Sequence, residues 1–417
     1  MFALLDVLLR RIVRHGDLTV TDAAGAAHRY GDGNGPTVAV RLTDRQIERR
    51  LVRDPQLALG EAYMDGRLVM EQGRIYDLLE VILSGAQWQQ FPAWTKGLDA
   101  TRYLVRRMLQ FNPARRARRN VARHYDINGA IYDLFLDRDR QYSCGYFEAD
   151  DDDLDAAQLA KKRHIAAKLA IEPDHRVLDI GSGWGGLGLY LAKTAGCDVT
   201  GVTLSSEQLK ISQERAAKEG LARSVHFEFK DYRKVTGQFD RIVSVGMFEH
   251  VGVNHYATYF RKVRQLLAED GVALIHTIGR SEPPSTTAGF IAKYIFPGGY
   301  IPALSEMAAG VEHSGLVIAD VEILRLHYAR TLRAWRQRFL ANWDKAASIL
   351  DERFCRMWEF YLAASETAFR YQGLVVFQVQ LVRRLDALPI TRDYMYADEH
   401  RLLERDRVAQ RRLMAGE

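Results

Sequence analysis

The chain is poor in cysteine, in long apolar runs and, over one stretch, in acid. Its three cysteines, Cys144, Cys197 and Cys355, stand far apart and give neither a disulfide framework nor the close pairs of a metal site. The expectation is a reducing, cytoplasmic setting and no metal. No apolar run comes near the roughly 18 residues that cross a bilayer. The stretch Leu374 to Phe377 is cut by Gln378 and Gln380. The opening MFALLDVLLRRIV has no basic leader and carries Asp6, so it reads as a short amphipathic helix and not as a secretion signal. Neither HExxH nor a serine nucleophile elbow occurs. Between Ala100 and Tyr125 there is no acid, yet Arg102, Arg106, Arg107, Arg115, Arg116, Arg118, Arg119 and Arg123 all fall there. These arginines outweigh the net charge of +5 for the whole chain, so its basicity is local. Such a cluster suits the phosphates of anionic lipids or of nucleic acid. Only Tyr103 and Phe111 stand among the arginines, which argues against a base-stacking nucleic-acid module.

With 417 residues, 47% of them hydrophobic and 10% aromatic, a large catalytic domain and a smaller partner are both affordable. Asn112-Pro113 breaks the chain before the densest arginines, which places the domains at 1–112 and 113–417. In the first, Gly31 to Pro36 is a turn before a short strand at Thr37 to Leu42. In the second, the acidic run Asp150 to Asp155 precedes a helical pattern from Ala156 to Leu169. Helix-start electrostatics explains that run, since its spacing is not that of a calcium loop. From Arg176 onward, apolar strands at 176–180, 198–202, 225–229, 239–245 and 272–278 alternate with helices, the pattern of an α/β parallel sheet. Residues 280–312, with Pro283-Pro284 and Pro297-Gly298-Gly299 around Phe290, Tyr294 and Phe296, break that rhythm. They read as a lid or channel wall, or equally as ordinary packing on the sheet. Trp335, Phe339 and Trp343 recur every four residues, as on a core-facing helix.

The first strand of the alternation, RVLDI, runs into GSGWGG. Gly181, Gly183 and Gly186 satisfy GxGxxG, but a dinucleotide site needs an acid about 20 residues on. The second strand ends instead in Thr203, Leu204, Ser205 and Ser206. Asp179, two residues before the first glycine, fits the D-x-G-x-G-x-G turn of S-adenosylmethionine (SAM) methyltransferases, which usually also carry an acid after the second strand. GVTLSSEQ departs from both patterns. Ligands of open sheets lie beyond the C-terminal strand ends, so Glu249 and His250 after the fourth strand and His276 in the fifth are candidates. Cys144 alone reads as a small buried side chain.

HYD at His124, YSCGYF at Tyr142, VLDIGSGWGG at Val177, GVTLSSEQ at Gly201, GMFEHVG at Gly246, IHTIG at Ile275 and HYARTL at His327 together resemble the cyclopropane fatty acid synthases and mycolic acid cyclopropane synthases. The resemblance runs from about His124 to the end, and the acid-free TLS is part of it. It implies a Rossmann-like SAM methyltransferase fold with a mostly parallel seven-stranded sheet and a smaller N-terminal domain. SAM would be held by Tyr142, Ser143, Asp179, Gly181, Gly183, Trp184, Thr203, Leu204, Gln208, Val245 and Gly246. Tyr232 would lie against the adenine, where relatives often carry Trp. A bicarbonate ion would be held by Cys144, Glu249, His276, the backbone at Ile278, and Tyr328. The implied activity is methylene transfer to unsaturated acyl chains of phospholipids in anionic membranes, without nucleic acid. The enzyme would sit at the inner face of the membrane, and a homodimer is compatible with this reading. A lipid C-methyltransferase making branched chains would share every motif.

Overall fold

In strands β1 (Asp17–Thr21), β2 (Ala27–Tyr30), β3 (Thr37–Leu42) and β4 (Leu68–Gln72), Leu18, Val20, Val38, Val40 and Leu42 are buried and the residues between them more open. That period of two fits a sheet with one covered face. Its order is β2-β1-β3-β4, with β1 antiparallel to β2, parallel to β3, and β3 antiparallel to β4. These details come from a computed structural model, which describes residues 2–85 and 129–415. The arginine-rich stretch, the Asn112-Pro113 boundary and His124 lie outside the described residues. The opening segment is a helix, Phe2–Ile12, burying Leu5, Leu8, Leu9 and Ile12.

The described residues form two compact units, and the division does not follow chain order. Ser285–Pro297 and Ala329–Leu374, both expected within the catalytic domain, pack with the N-terminal residues. Inside this first unit, Gly60 of helix Pro55–Met64 meets the rings of Phe290 and Phe360; a Cβ there would lie 2.3 Å from Phe290. Trp335 and Phe339 of helix His327–Ala341 are fully buried. Trp343 opens the separate helix Trp343–Ile349 and is only half-buried, so the expected stripe ends one turn early, where Asn342 interrupts the helix. The segment read as a lid, 280–312, does not behave as one piece. Ser285–Pro297 belongs to this unit and the residues from Gly298 to the other.

The second unit holds β5 (Arg176–Ile180), β6 (Asp198–Thr203), β7 (Val225–Phe229), β8 (Phe239–Val245), β9 (Leu267–Arg280), β10 (Val317–Leu324) and β11 (Leu374–Val382). They form one sheet in the order β10-β11-β9-β8-β5-β6-β7. β5 pairs in parallel with β6 and β8, β6 with β7, and β8 with β9, while β10 and β11 are antiparallel. Three expected strands are met residue for residue, and the second gains only Thr203. The fifth extends back to Leu267 through Glu269 and Asp270, exposed residues that carry no apolar signal. Side chains alternate between two cores: Ile242 and Ile275 enter one, Val243 and Leu274 the other. After β7 the chain returns to the opposite side of β5 to form β8. This reversal opens a crevice at the C-terminal ends of β5, β6 and β8.

Candidate active site

Each of those strands sends a turn into the crevice. Gly181 and Gly183 follow β5, Thr203, Leu204 and Gln208 follow β6, Tyr232 follows β7, and Val245 and Gly246 end β8; all line one cleft. The glycine turn is tied to β6, since the Gly181 and Ser182 amides donate to the Val202 carbonyl at 2.9 and 3.1 Å. Gly183 and Gly246 have φ of +54° and +66°, the left-handed region that suits glycine, and no atom lies within 4 Å of a Cβ built on either. The backbone is therefore bare toward the cleft. Lys230, Asp231 and Arg233 line it as well, and sequence reasoning passed them over because they look like an ordinary surface loop.

The acid-free TLSSEQ turn has its own logic. The Thr203 hydroxyl donates to Oε1 of Gln208 at 3.0 Å. Ser205 caps helix Ser206–Lys218, with its Oγ accepting from the Gln208 amide at 3.3 Å. Where a dinucleotide site places a carboxylate, this chain places a neutral, internally bonded pair.

Across β8 and β9 lies a polar group inside an apolar core. Oε1 of Glu249 accepts from the Ile278 amide at 2.8 Å, while its Oε2 is buried without a partner. Burial pushes this carboxyl up to about 7. His276 is buried, and burial, helped by the positive charge of Lys161, holds its imidazole down at about 3, so it is neutral. Nε2 of Gln378 lies 3.2 Å from its Nδ1. With the amide donating, the ring proton sits on Nε2. Gln378 and Gln380 had served only to break an apolar run, yet both are buried in β11. Two amides two residues apart in such a strand are the signal that could have found this contact.

The YSCGYF loop supplies the rest. Tyr142 meets Tyr132 edge-on at 5.4 Å, and Tyr132 in turn meets Trp184 at 5.2 Å, so Tyr142 and Trp184 join through Tyr132. Ser143 is held by helix Leu154–Lys168: Gln158 donates to its carbonyl at 2.9 Å and Lys161 to its Oγ at 2.8 Å. That helix begins two residues before the expected Ala156, with Asp153 capping the Ala156 amide at 2.8 Å. Cys144 is buried and its Sγ donates to the Gly145 carbonyl. Tyr328 is buried beside His327, whose Nδ1 accepts from the Phe147 amide at 3.0 Å; this ties the HYARTL segment to the cysteine loop.

The residues present fit a nucleoside cofactor. Asp179, buried and pushed up to about 7 by burial, has Oδ2 without a partner, and the open glycine backbones and the Tyr232 ring face the cleft. The chemistry of a small oxyanion is also suited, because a protonated Glu249 and the His276 Nε2–H are both buried donors. The Ile278 amide, expected to hold that ion, donates to Glu249 instead.

Residues 112–379 match the family described as mycolic acid cyclopropane synthetase, and residues 5–88 match a domain of unknown function. The cyclopropane-fatty-acyl-phospholipid synthase of Escherichia coli K12 is 40% identical over 354 residues, covering 85% of this chain and 90% of that protein. A probable fatty acid methyltransferase of Pseudomonas putida is 36% identical over 388 residues, covering 88% and 94%. The crystal structure of a mycolic acid cyclopropane synthase complexed with SAH and CTAB superposes with a TM-score of 0.61 at 32% identity, covering 65% of this chain and 99% of that one.

Proposed function

This chain belongs to the mycolic acid cyclopropane synthetase family, SAM-dependent methyltransferases by their relatives, and we propose that it is a cyclopropane-fatty-acyl-phospholipid synthase. Its reaction is the transfer of a methylene unit to the cis double bond of unsaturated acyl chains in membrane phospholipids. The observation that carries this reading is the buried Glu249 carboxyl on the Ile278 amide, with the buried, neutral His276 two residues earlier in the same strand.

SAM, when bound, supplies an electron-poor methyl group. That methyl would pass to the alkene as its C–S bond breaks and S-adenosylhomocysteine leaves, and ring closure would then need a proton to be removed from it. Bicarbonate, when bound, would supply the basic oxyanion for this, held by the residues named here. His276, neutral and donating from Nε2, orients it. Glu249 acts as a second orienting group and not as the base, with Cys144 and Tyr328 completing the set. The apolar surroundings contributed by Phe248 and Tyr300 exclude water from this reaction. Tyr300 is fixed there by its amide, which donates to the Glu249 carbonyl at 3.0 Å.

Among the described residues no helix is long and apolar enough to cross a membrane. Docking on anionic bilayers is assigned to the arginines between Arg102 and Arg123, from the cytoplasmic side. The test is mass spectrometry of lipids from cells expressing the protein. A gain of one CH2 with the alkene lost to a ring supports the reading. A methyl or methylene branch instead supports a lipid C-methyltransferase, the alternative that similarity to the Pseudomonas putida protein favours.

A further inference from the structure

Beyond helping to keep His276 neutral, the fully buried Lys161 has no role assigned above. Its Nζ donates to Oε1 of Gln141 at 2.6 Å and to Oγ of Ser143 at 2.8 Å, the two residues flanking Tyr142. The Gln141 amide has one orientation, since its Nε2 donates to Asp139 at 3.0 Å. An ammonium has donors only. Lys161 therefore occupies a lone pair of the Ser143 hydroxyl, and the hydroxyl hydrogen must point elsewhere.

We propose that Lys161 is a positioning residue that commits Ser143 to act as a hydrogen-bond donor toward the carboxylate of the cofactor's amino-acid moiety. This rests on the reading of Ser143 as a cofactor-binding residue. A neutral Lys161 would carry a lone pair as well as two donors, so the Ser143 hydrogen would have an inward acceptor and would no longer be committed to the cofactor.

The surroundings make that switch accessible. Burial draws the Lys161 ammonium down to about 8. Groups on every neighbouring element face it: Asp137, Asp139 and Cys144 from the loop before its helix, Lys162 from its own helix, Asp179 from β5 and His276 from β9. None of the loop carboxylates pairs with it. Asp137 accepts from the Asp139 and Gln141 amides, and Asp139 is taken by Lys162, Arg215 and Gln141. A bound carboxylate favours the charged lysine, so binding raises its pKa and affinity falls as pH rises through the free value.

Calorimetry of the full chain between pH 6.5 and 9.5 tests this with three probes. S-adenosylhomocysteine establishes that the cofactor site exists. Its des-amino analogue keeps the carboxylate and has no titrating amine, and 5′-methylthioadenosine has neither group. The expected result is about tenfold weaker binding of the des-amino analogue at pH 9.5 than at pH 7, with 5′-methylthioadenosine unchanged. Lys161→Arg, charged throughout, should flatten that profile, and Ser143→Ala should weaken the analogue and flatten it too. A flat profile for the des-amino analogue in the wild type overturns the inference, as does an equal decline for 5′-methylthioadenosine. These wild-type outcomes stand even if a variant does not fold. Failure of the wild type to bind S-adenosylhomocysteine at any pH would overturn the cofactor reading itself.

Discussion

The Phe377 ring lies so close to the backbone of Gly279 that a Cβ built there would fall 2.0 Å from its Cε2. Gly279 follows Ile278, whose amide holds Glu249, so the ring braces the strand that positions the carboxylate. Gly279→Ala must displace one or the other. The expected cost is about 1–3 kcal/mol of stability, with a clear loss of turnover. Adding Phe377→Leu should restore much of both. Thermal melts and turnover of the two single variants and the double variant check this; a double variant no better than Gly279→Ala would mean that the ring is not the obstacle.

Glu249→Gln should keep SAM affinity, measured by calorimetry, and cut turnover at least tenfold. Its stability effect has a definite sign. The folded carboxyl titrates near 7, above the ordinary 4.5, so its neutral form favours folding. Stability is fully present below pH 4.5 and is lost as pH rises toward 7, by roughly 3 kcal/mol. Removing the charge should therefore raise the melting temperature at pH 8 and leave it little changed at pH 4.5. Equal shifts at both would show that the carboxyl is not perturbed by burial. Wild-type turnover should also fall in carbonate-stripped buffer and return on adding bicarbonate.

Gly183→Val should abolish detectable SAM binding while circular dichroism stays native. Its φ of +54° resists a β-branched residue, and the side chain would fill the open space above the bare backbone. NAD should bind neither protein. Unchanged SAM affinity would mean that the turn faces another ligand.

Changing Arg115, Arg116, Arg118 and Arg119 to Gln should release the protein from anionic vesicles and spare SAM binding. Each arginine near an anionic surface contributes about 1 kcal/mol, and salt weakens it. Flotation with anionic and neutral vesicles decides the point, and equal flotation of wild type and variant would remove the docking role. Loss of RNA affinity instead, with a steep salt slope, would point to a nucleic-acid partner.

The central sheet was legible because apolar runs such as RVLDI and FDRIVSV stand between glycine-rich and polar turns, and residues at strand ends inherit a position from that pattern. Glu249 and His276 were found in this way. Gln378 was not, because its partner His276 lies 102 residues away in sequence and a buried amide looks like a surface one until the strands pair. Lys161 escaped for a similar reason: in LDAAQLAKKRH a lysine at helical spacing reads as solvated, yet three turns of that helix are buried around it. The discontinuous packing of Ser285–Pro297 and Ala329–Leu374 left no mark either, since apolar periodicity runs on without regard to which core receives it.

The last of the described strands to leave the ribosome, β11, is inserted between β9 and β10 and does not add to an edge. Until Leu374–Val382 has been synthesised, β9 is an open margin with unpaired amides and carbonyls, and His276 has no amide beside it. A nascent chain thus carries nearly all its catalytic side chains before it can seat them, while exposing a sticky strand edge. Ribosome-stalled chains ending before Leu374 are the ones that would most need a chaperone, and a late nonsense codon would yield an aggregation-prone product and not a shortened enzyme.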